Sequence, residues 1–92
     1  MFRWVDGTTK EQVQEISRGL DSLASSIPGI HRYEHGPDLG LNSGNHDYVV
    51  VAEFSSQSEY LAYRDDPLHT AFIAEHLTPL IASRVAVQYR VD

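Results

Sequence analysis

A chain of 92 residues, 41% hydrophobic and 22% charged, is one small domain of ordinary globular composition, and at this size a single chain buries only about 60 to 70% of its unfolded surface. Cysteine is absent, which excludes disulfides, thiolate nucleophiles, Cys-ligated zinc and iron–sulfur centres together. Thirteen acidic against seven basic residues leave a formal charge of −6, so neither nucleic acid nor an anionic membrane is an expected partner. The longest apolar run, five residues from Tyr48 to Ala52, fits no transmembrane helix or secretory signal; a cytosolic location is the resulting expectation.

Met1 to Val5 is β-prone, with Phe2 and Trp4 on one side and Arg3 on the other, and Asp6-Gly7 ends it. Thr8-Thr9-Lys10-Glu11 reads as a capping box between Thr8 and Glu11. The helix it opens carries Val13, Ile16, Leu20, Leu23 and Ile27 on one stripe and stops at Pro28-Gly29. Ile30 to His35 alternates, placing His31, Tyr33 and His35 on one face of a half-exposed strand. Gly36 to Asn45, rich in glycine and asparagine, is a loop. His46 to Phe54 is the strongest strand signal. Its consecutive apolar residues require cover on both faces. Ser56-Gln57-Ser58-Glu59 is a second capping box, ahead of a short helix with Tyr60, Leu61 and Tyr63 that Asp65-Asp66-Pro67 interrupts. Pro67 opens a further helix, whose His69, Phe72, Ile73, His76, Leu77 and Leu80 share a face until Pro79 kinks or ends it. Arg84 to Val91 alternates with period two and closes the chain as a strand.

The order β-α-β-β-α-α-β is that of a ferredoxin-like, split βαβ α+β fold, a four-stranded antiparallel sheet with its helices on one face. An open sheet face beside a doubly apolar strand implies a second copy laid against it. The expectation is a homodimer with two-fold symmetry, joined through the open faces of the sheets.

Phe2-Arg3-Trp4, Ile27-Pro28-Gly29-Ile30, Gly36-Pro37-Asp38-Leu39-Gly40, Asp47 to Phe54 and Tyr63-Arg64-Asp65-Asp66-Pro67-Leu68-His69 together resemble the stress-responsive dimeric α/β-barrel (Dabb) family across nearly the whole chain, residues 1–92 as one domain. The resemblance implies a dimeric α+β barrel with an apolar cleft between sheet and helices for a small oxygenated molecule. The family includes plant stress proteins of no established chemistry and a cofactor-free polyketide cyclase that works by aldol condensation. Through the Tyr-x-x-x-Pro-x-His segment, the cyclase's catalytic tyrosine and histidine fall on Tyr63 and His69, and Trp4, Leu20, Phe72 and Ile73 are the expected lining. No cofactor and no metal is implied. The chain departs from the family at Asp66, where a histidine usually precedes the proline. It also lacks the histidine of the longer first strand with which many members begin, so the natural start either lies upstream of Met1 or opens on a shorter strand.

Chemically, an imidazole at His69 can remove a proton α to a carbonyl, and a phenol at Tyr63 can donate to the developing enolate oxygen. The alternative for His69 is a packing residue bonded to a backbone carbonyl or to Asp66, and for the protein a non-enzymatic stress or structural dimer. His31, His35, His46 and His76 read as surface histidines, since positions four apart on a strand are about 13 Å apart, too far to share one metal ion. The Gly36 to Gly44 loop precedes a strand and lacks P-loop spacing, so it is no phosphate cradle.

Overall fold

In a computed structural model, which describes residues 1–91, the chain runs β1 (Phe2–Trp4), α1 (Lys10–Ser26), β2 (Ile30–Pro37), β3 (Tyr48–Phe54), α2 (Gln57–Asp65), α3 (Pro67–Phe72) and β4 (Ile81–Arg84). Between α3 and β4 the helix widens into a π-helical turn, Ile73–Leu77, and tightens into a 3-10 turn, Thr78–Leu80. Pro79 therefore sits in the tightened turn, beyond the end of the helix proper. The four strands form one antiparallel sheet in the order β2-β3-β1-β4, the ferredoxin-like arrangement expected from the sequence.

The first cap lies one residue later than the capping box read at Thr8. Thr9 Oγ1 accepts from the Gln12 amide at 3.1 Å, and Gln12 Oε1 accepts from the Thr9 amide at 2.8 Å. The Thr8 hydroxyl is engaged elsewhere, donating to the Val5 carbonyl at 2.7 Å. At α2, Ser56 caps the Glu59 amide as expected, while the Glu59 carboxylate reaches the amide of Ser55 instead of Ser56. Asp66 caps α3 through the Leu68 amide, with Pro67 in the first turn.

Ile16, Leu20, Leu23 and Ile27 of α1 meet Phe2, Tyr48, Tyr63 and Leu77 in the buried core. Their stripe thus covers one face of the sheet. On the opposite face, Val49 and Val51 are 38% and 43% exposed while Tyr48 between the layers is 2% exposed. β3 is apolar on both faces, and the helices cover only one. Among the described residues, no helix is long and apolar enough to cross a membrane.

The closing strand corrects the sequence reading most. β4 is Ile81–Arg84, not Arg84 to Val91: Phe2 pairs with Arg84 and Arg3 with Ser83. Pairing with β1 runs out where Met1 and Val85 exchange hydrogen bonds of 2.9 and 3.0 Å. The alternating residues beyond Val85 have no strand beside them in the protomer. Similarly, β2 continues to Pro37, into the expected loop, because Gly36 and Pro37 still face Val49 and Tyr48. β3 begins at Tyr48 and not at His46, because the Asp47 carboxylate accepts from the Trp4 amide at 2.9 Å, replacing a rung of the ladder.

Candidate functional site

The helix-covered face of the sheet carries a band of aromatic and imidazole rings. β2 contributes Tyr33 and His35 from alternate positions, β3 contributes Tyr48 and Phe54, and α2 lays Tyr60 and Tyr63 over them. Tyr63, 8% exposed, sits with its ring centroid 5.2 Å from Phe54 and 4.3 Å from His69. The Asp66-Pro67 junction between α2 and α3 makes that second distance possible. It breaks the helix axis just after Tyr63, so the first turn of α3 swings His69 back over the end of α2.

There, His69 Nδ1 lies 3.0 Å from the Arg64 carbonyl oxygen. A carbonyl can only accept, so Nδ1 carries a proton, and in the tautomer this bond selects the lone pair is on Nε2. Among the described residues Nε2 makes no hydrogen bond. The backbone-carbonyl bond weighed as the packing alternative is therefore present, and it fixes the orientation of the ring. Asp66, in the family's histidine position, is committed to the α3 cap.

The Tyr63 hydroxyl is 3.0 Å from that of Tyr33. Burial, first, and the hydrogen bond to Tyr63, second, hold the Tyr33 phenol well above its ordinary range. For Tyr63, burial raises the phenol, while the hydrogen bond with Tyr33 pulls the other way without prevailing. Either hydroxyl can donate in this bond, and with Tyr33 as donor the Tyr63 O–H is left for another acceptor. Both phenols stay neutral, as a donor to a developing oxyanion must.

His35 is the residue the sequence reading misplaced. It is no surface histidine: its side chain is 7% exposed. Its Nδ1 lies 2.7 Å from the Tyr48 hydroxyl and its Nε2 lies 2.6 Å from Asp21 Oδ1. A buried imidazole needs both nitrogens satisfied, and α1 and β3 supply the two partners. The alternation that placed His35 beside Tyr33 was the available signal, since the face that takes a large aromatic is the covered one.

Of the expected lining residues, Leu20 is in the buried core, and Trp4, Phe72 and Ile73 pack against it. Trp4 lies at the far end of the band, 5.6 Å from Tyr48. Phe72 fills the space above Gly19, where a Cβ would run into the ring atoms Cε1 and Cζ. The room that Gly19 leaves between the layers is therefore occupied by a side chain. Two cavities lie away from His69 and Tyr63. One of about 200 Å³ separates α1 from the turns around His76 and Pro79. One of about 480 Å³ sits at the sheet end beside Met1, Asp38, His46 and Val49. Among the described residues, no three His, Asp or Glu side chains group as metal ligands.

The comparisons agree with this architecture. The chain aligns with a dimeric ferredoxin-like protein of unknown function from Thermobifida fusca YX at 41% identity and a TM-score of 0.90, covering 99% of this chain and 85% of that one. A Dabb family protein with a ferredoxin-like fold from Mesorhizobium loti MAFF303099 aligns at 20% identity and a TM-score of 0.73 over 95% and 91% of the two chains. A dimeric protein of unknown function and ferredoxin-like fold from Bacteroides fragilis NCTC 9343 aligns at 22% identity and a TM-score of 0.79 over 98% and 89%. No functionally curated protein matches the sequence. The family profile of the stress responsive A/B barrel domain matches residues 1–91, and the chain belongs to that Dabb family.

Proposed function

We propose that the protein is a homodimer that acts on a small, mostly apolar carbonyl compound by cofactor-free proton transfer, with His69 as base and Tyr63 as hydrogen-bond donor. The carrying observation is the pair itself: rings 4.3 Å apart, one with no hydrogen bond on Nε2 among the described residues and the other with its hydroxyl bonded to Tyr33 alone. With a substrate carbonyl oxygen on Tyr63, the α-carbon lies toward His69 Nε2. Proton removal there generates an enolate whose charge the phenol meets, as aldol-type ring closure or a lyase or isomerase step requires. Trp4, Leu20, Phe72 and Ile73 belong to this reading as its apolar surroundings, Leu20 in the core and the other three packed against it. A part in the stress response comes with the family description, and a cytosolic location with the sequence reading.

Dimerisation through the open sheet face is supported by the exposed Val49 and Val51 and by the dimeric proteins from T. fusca and B. fragilis. Light scattering of the mass of one chain at micromolar concentration refutes it. For the chemistry, aryl methyl ketones incubated with the protein in deuterium oxide report α-proton exchange by NMR. Exchange above background that disappears in His69→Asn and falls in Tyr63→Phe is the expected result; equal exchange in wild type and His69→Asn refutes it.

The second reading, a non-enzymatic dimer, is favoured by one observation: Phe72 packs down onto Gly19, closing the layer. Wild-type exchange no faster than buffer across the ketone panel supports it.

A further inference from the structure

We propose that Tyr33 is a positioning residue for the His69–Tyr63 site: its hydroxyl donates to that of Tyr63, turns the Tyr63 proton toward the ligand oxygen, and shares the charge that builds as an enolate forms. This rests on the proton-transfer reading and adds a second phenol to it.

Two phenols carry two O–H donors, and the 3.0 Å bond between Tyr33 and Tyr63 uses one of them. One proton is left to seek an acceptor outside the pair. On Tyr33 it would meet none among the described residues. The ring beside Tyr33 is His35, 6.1 Å away between centroids, and both His35 nitrogens are engaged, one with Tyr48 and the other with Asp21. Tyr63 instead adjoins His69, whose ring lies 4.3 Å from it. The remaining proton therefore belongs on Tyr63, on the side of the imidazole. Acidity points the same way: the bond raises the Tyr33 phenol, as it does a donor, and lowers that of Tyr63, as it does an acceptor.

Tyr33 is also the better anchored of the two. It stands on β2 opposite Ala52 of β3, so its hydroxyl ties a phenol carried by α2 to the sheet. The titratable groups around the pair are Tyr60 on α2, His69 on α3, His35 on β2, Tyr48 on β3 and Asp21 on α1. None of these is a lysine or arginine, so the oxyanion has hydroxyls to meet it and no fixed cation. When the α-proton moves to His69 Nε2, its C–H pair becomes the C=C bond and the carbonyl π pair moves to the oxygen that Tyr63 holds. The Tyr63 O–H is polarised toward that oxygen, its own oxygen gains negative charge, and the bond from Tyr33 strengthens in response. Neither phenol loses its proton.

The test follows deuterium exchange into an aryl methyl ketone for the wild type, Tyr33→Phe and Tyr63→Phe, with a carbon NMR titration of the tyrosine rings in which the Tyr63 signal is the one absent from Tyr63→Phe. Tyr33→Phe keeps the ring and should keep the far-UV circular dichroism. It is expected to lower kcat for exchange about tenfold with KM within about twofold, and to raise the pH at which Tyr63 titrates. Tyr63→Phe should cost about a hundredfold. A residue that only fills space would move neither the titration nor kcat apart from KM. If Tyr33→Phe fails to fold, Tyr33→fluorotyrosine decides, because it retains the ring and makes the donor more acidic: faster exchange and a lower Tyr63 titration are expected, and no change in either overturns the role of Tyr33. Unchanged or faster exchange in Tyr33→Phe, or an unmoved Tyr63 titration, overturns that role alone while wild-type exchange is still lost in His69→Asn. Wild-type exchange no faster than buffer overturns the proton-transfer reading and the role of Tyr33 with it.

Discussion

Replacing Gly19 by alanine tests whether the space between α1 and α3 is truly filled. In an ordinary helix interior, Gly→Ala is stabilising by about 1 kcal/mol, because alanine loses less backbone freedom on folding. Here the new Cβ runs into Cε1 and Cζ of Phe72, a ring that packs against the core cluster. Forcing an extra carbon into packed space costs about 1 to 3 kcal/mol. The sum places Gly19→Ala between neutral and about 2 kcal/mol less stable than wild type. Phe72→Leu alone opens space and costs about 1 to 3 kcal/mol. Because the Cβ then occupies what the ring vacates, the double variant should be at least about 1 kcal/mol better than the two single losses added. Urea denaturation followed by circular dichroism measures all four proteins, at one fixed concentration because a dimer's stability depends on it. Gly19→Ala raising stability by the ordinary helix increment refutes the reasoning. It would mean that Phe72 swings aside at little cost, as a ligand-admitting side chain would.

Three further outcomes follow from the same geometry. His35→Leu removes two hydrogen bonds and strands the buried Tyr48 hydroxyl, for a loss of about 2 to 4 kcal/mol, and Tyr48→Phe loses about 1 to 2; in urea titrations the two should be less than additive, and losses under about 0.5 kcal/mol in both would show that the Asp21–His35–Tyr48 chain holds nothing together. Tyr33 and Tyr63 are acids raised by burial in the fold, so the unfolded chain gives up these protons first: the stability they confer is complete below about pH 10 and is lost above it, at about 1 kcal/mol per pH unit for each phenol after discounting partial exposure. Denaturation midpoints at pH 9, 10 and 11 should fall less steeply in Tyr33→Phe, and parallel curves would contradict the assignment. Thr9→Ala should cost about 1 kcal/mol and Thr8→Ala less, with the reverse order in thermal melts placing the cap one residue earlier.

The order of elements was legible because its signals are local. The apolar stripe of α1, the Pro28-Gly29 stop and the Ser56 cap each lie within a turn or two of what they determine. The errors arose where two local choices tie and a distant contact decides. Thr8 and Thr9 are both fit to cap α1. Thr9 does so because the Val5 carbonyl takes the Thr8 hydroxyl, and Val5 is itself held by the Leu80 carbonyl at 2.8 Å, across the β1–β4 junction. Likewise, alternation from Val85 to Val91 reports strand propensity, yet the strand is Ile81–Arg84 and these residues form none. It carries no information on register, which pairs Phe2 with Arg84 and Arg3 with Ser83. Strand propensity and strand pairing are separate facts, and only the first belongs to a single segment.

The site divides along the same line. Tyr63 and His69 are six positions apart with one Asp-Pro break between them, so their meeting depends on local geometry and could be anticipated. The Tyr33 bond to Tyr63 spans 30 positions and that of His35 to Tyr48 spans 13, and both depend on how β2 sits against β3 and under α2. What distinguishes the two histidines is how completely the fold uses them. His35 has both nitrogens engaged, by Tyr48 and Asp21, so a proton moved there must break a bond that holds the layers in place. His69 has one nitrogen held by the Arg64 carbonyl and the other without a hydrogen bond among the described residues, against a phenol bonded to Tyr33 alone. A fold that satisfies its buried polar groups as fully as this one leaves few acids and bases free to react. At His69 and Tyr63 a ring nitrogen outside that network lies beside a phenol, so a proton can move there without dismantling the structure.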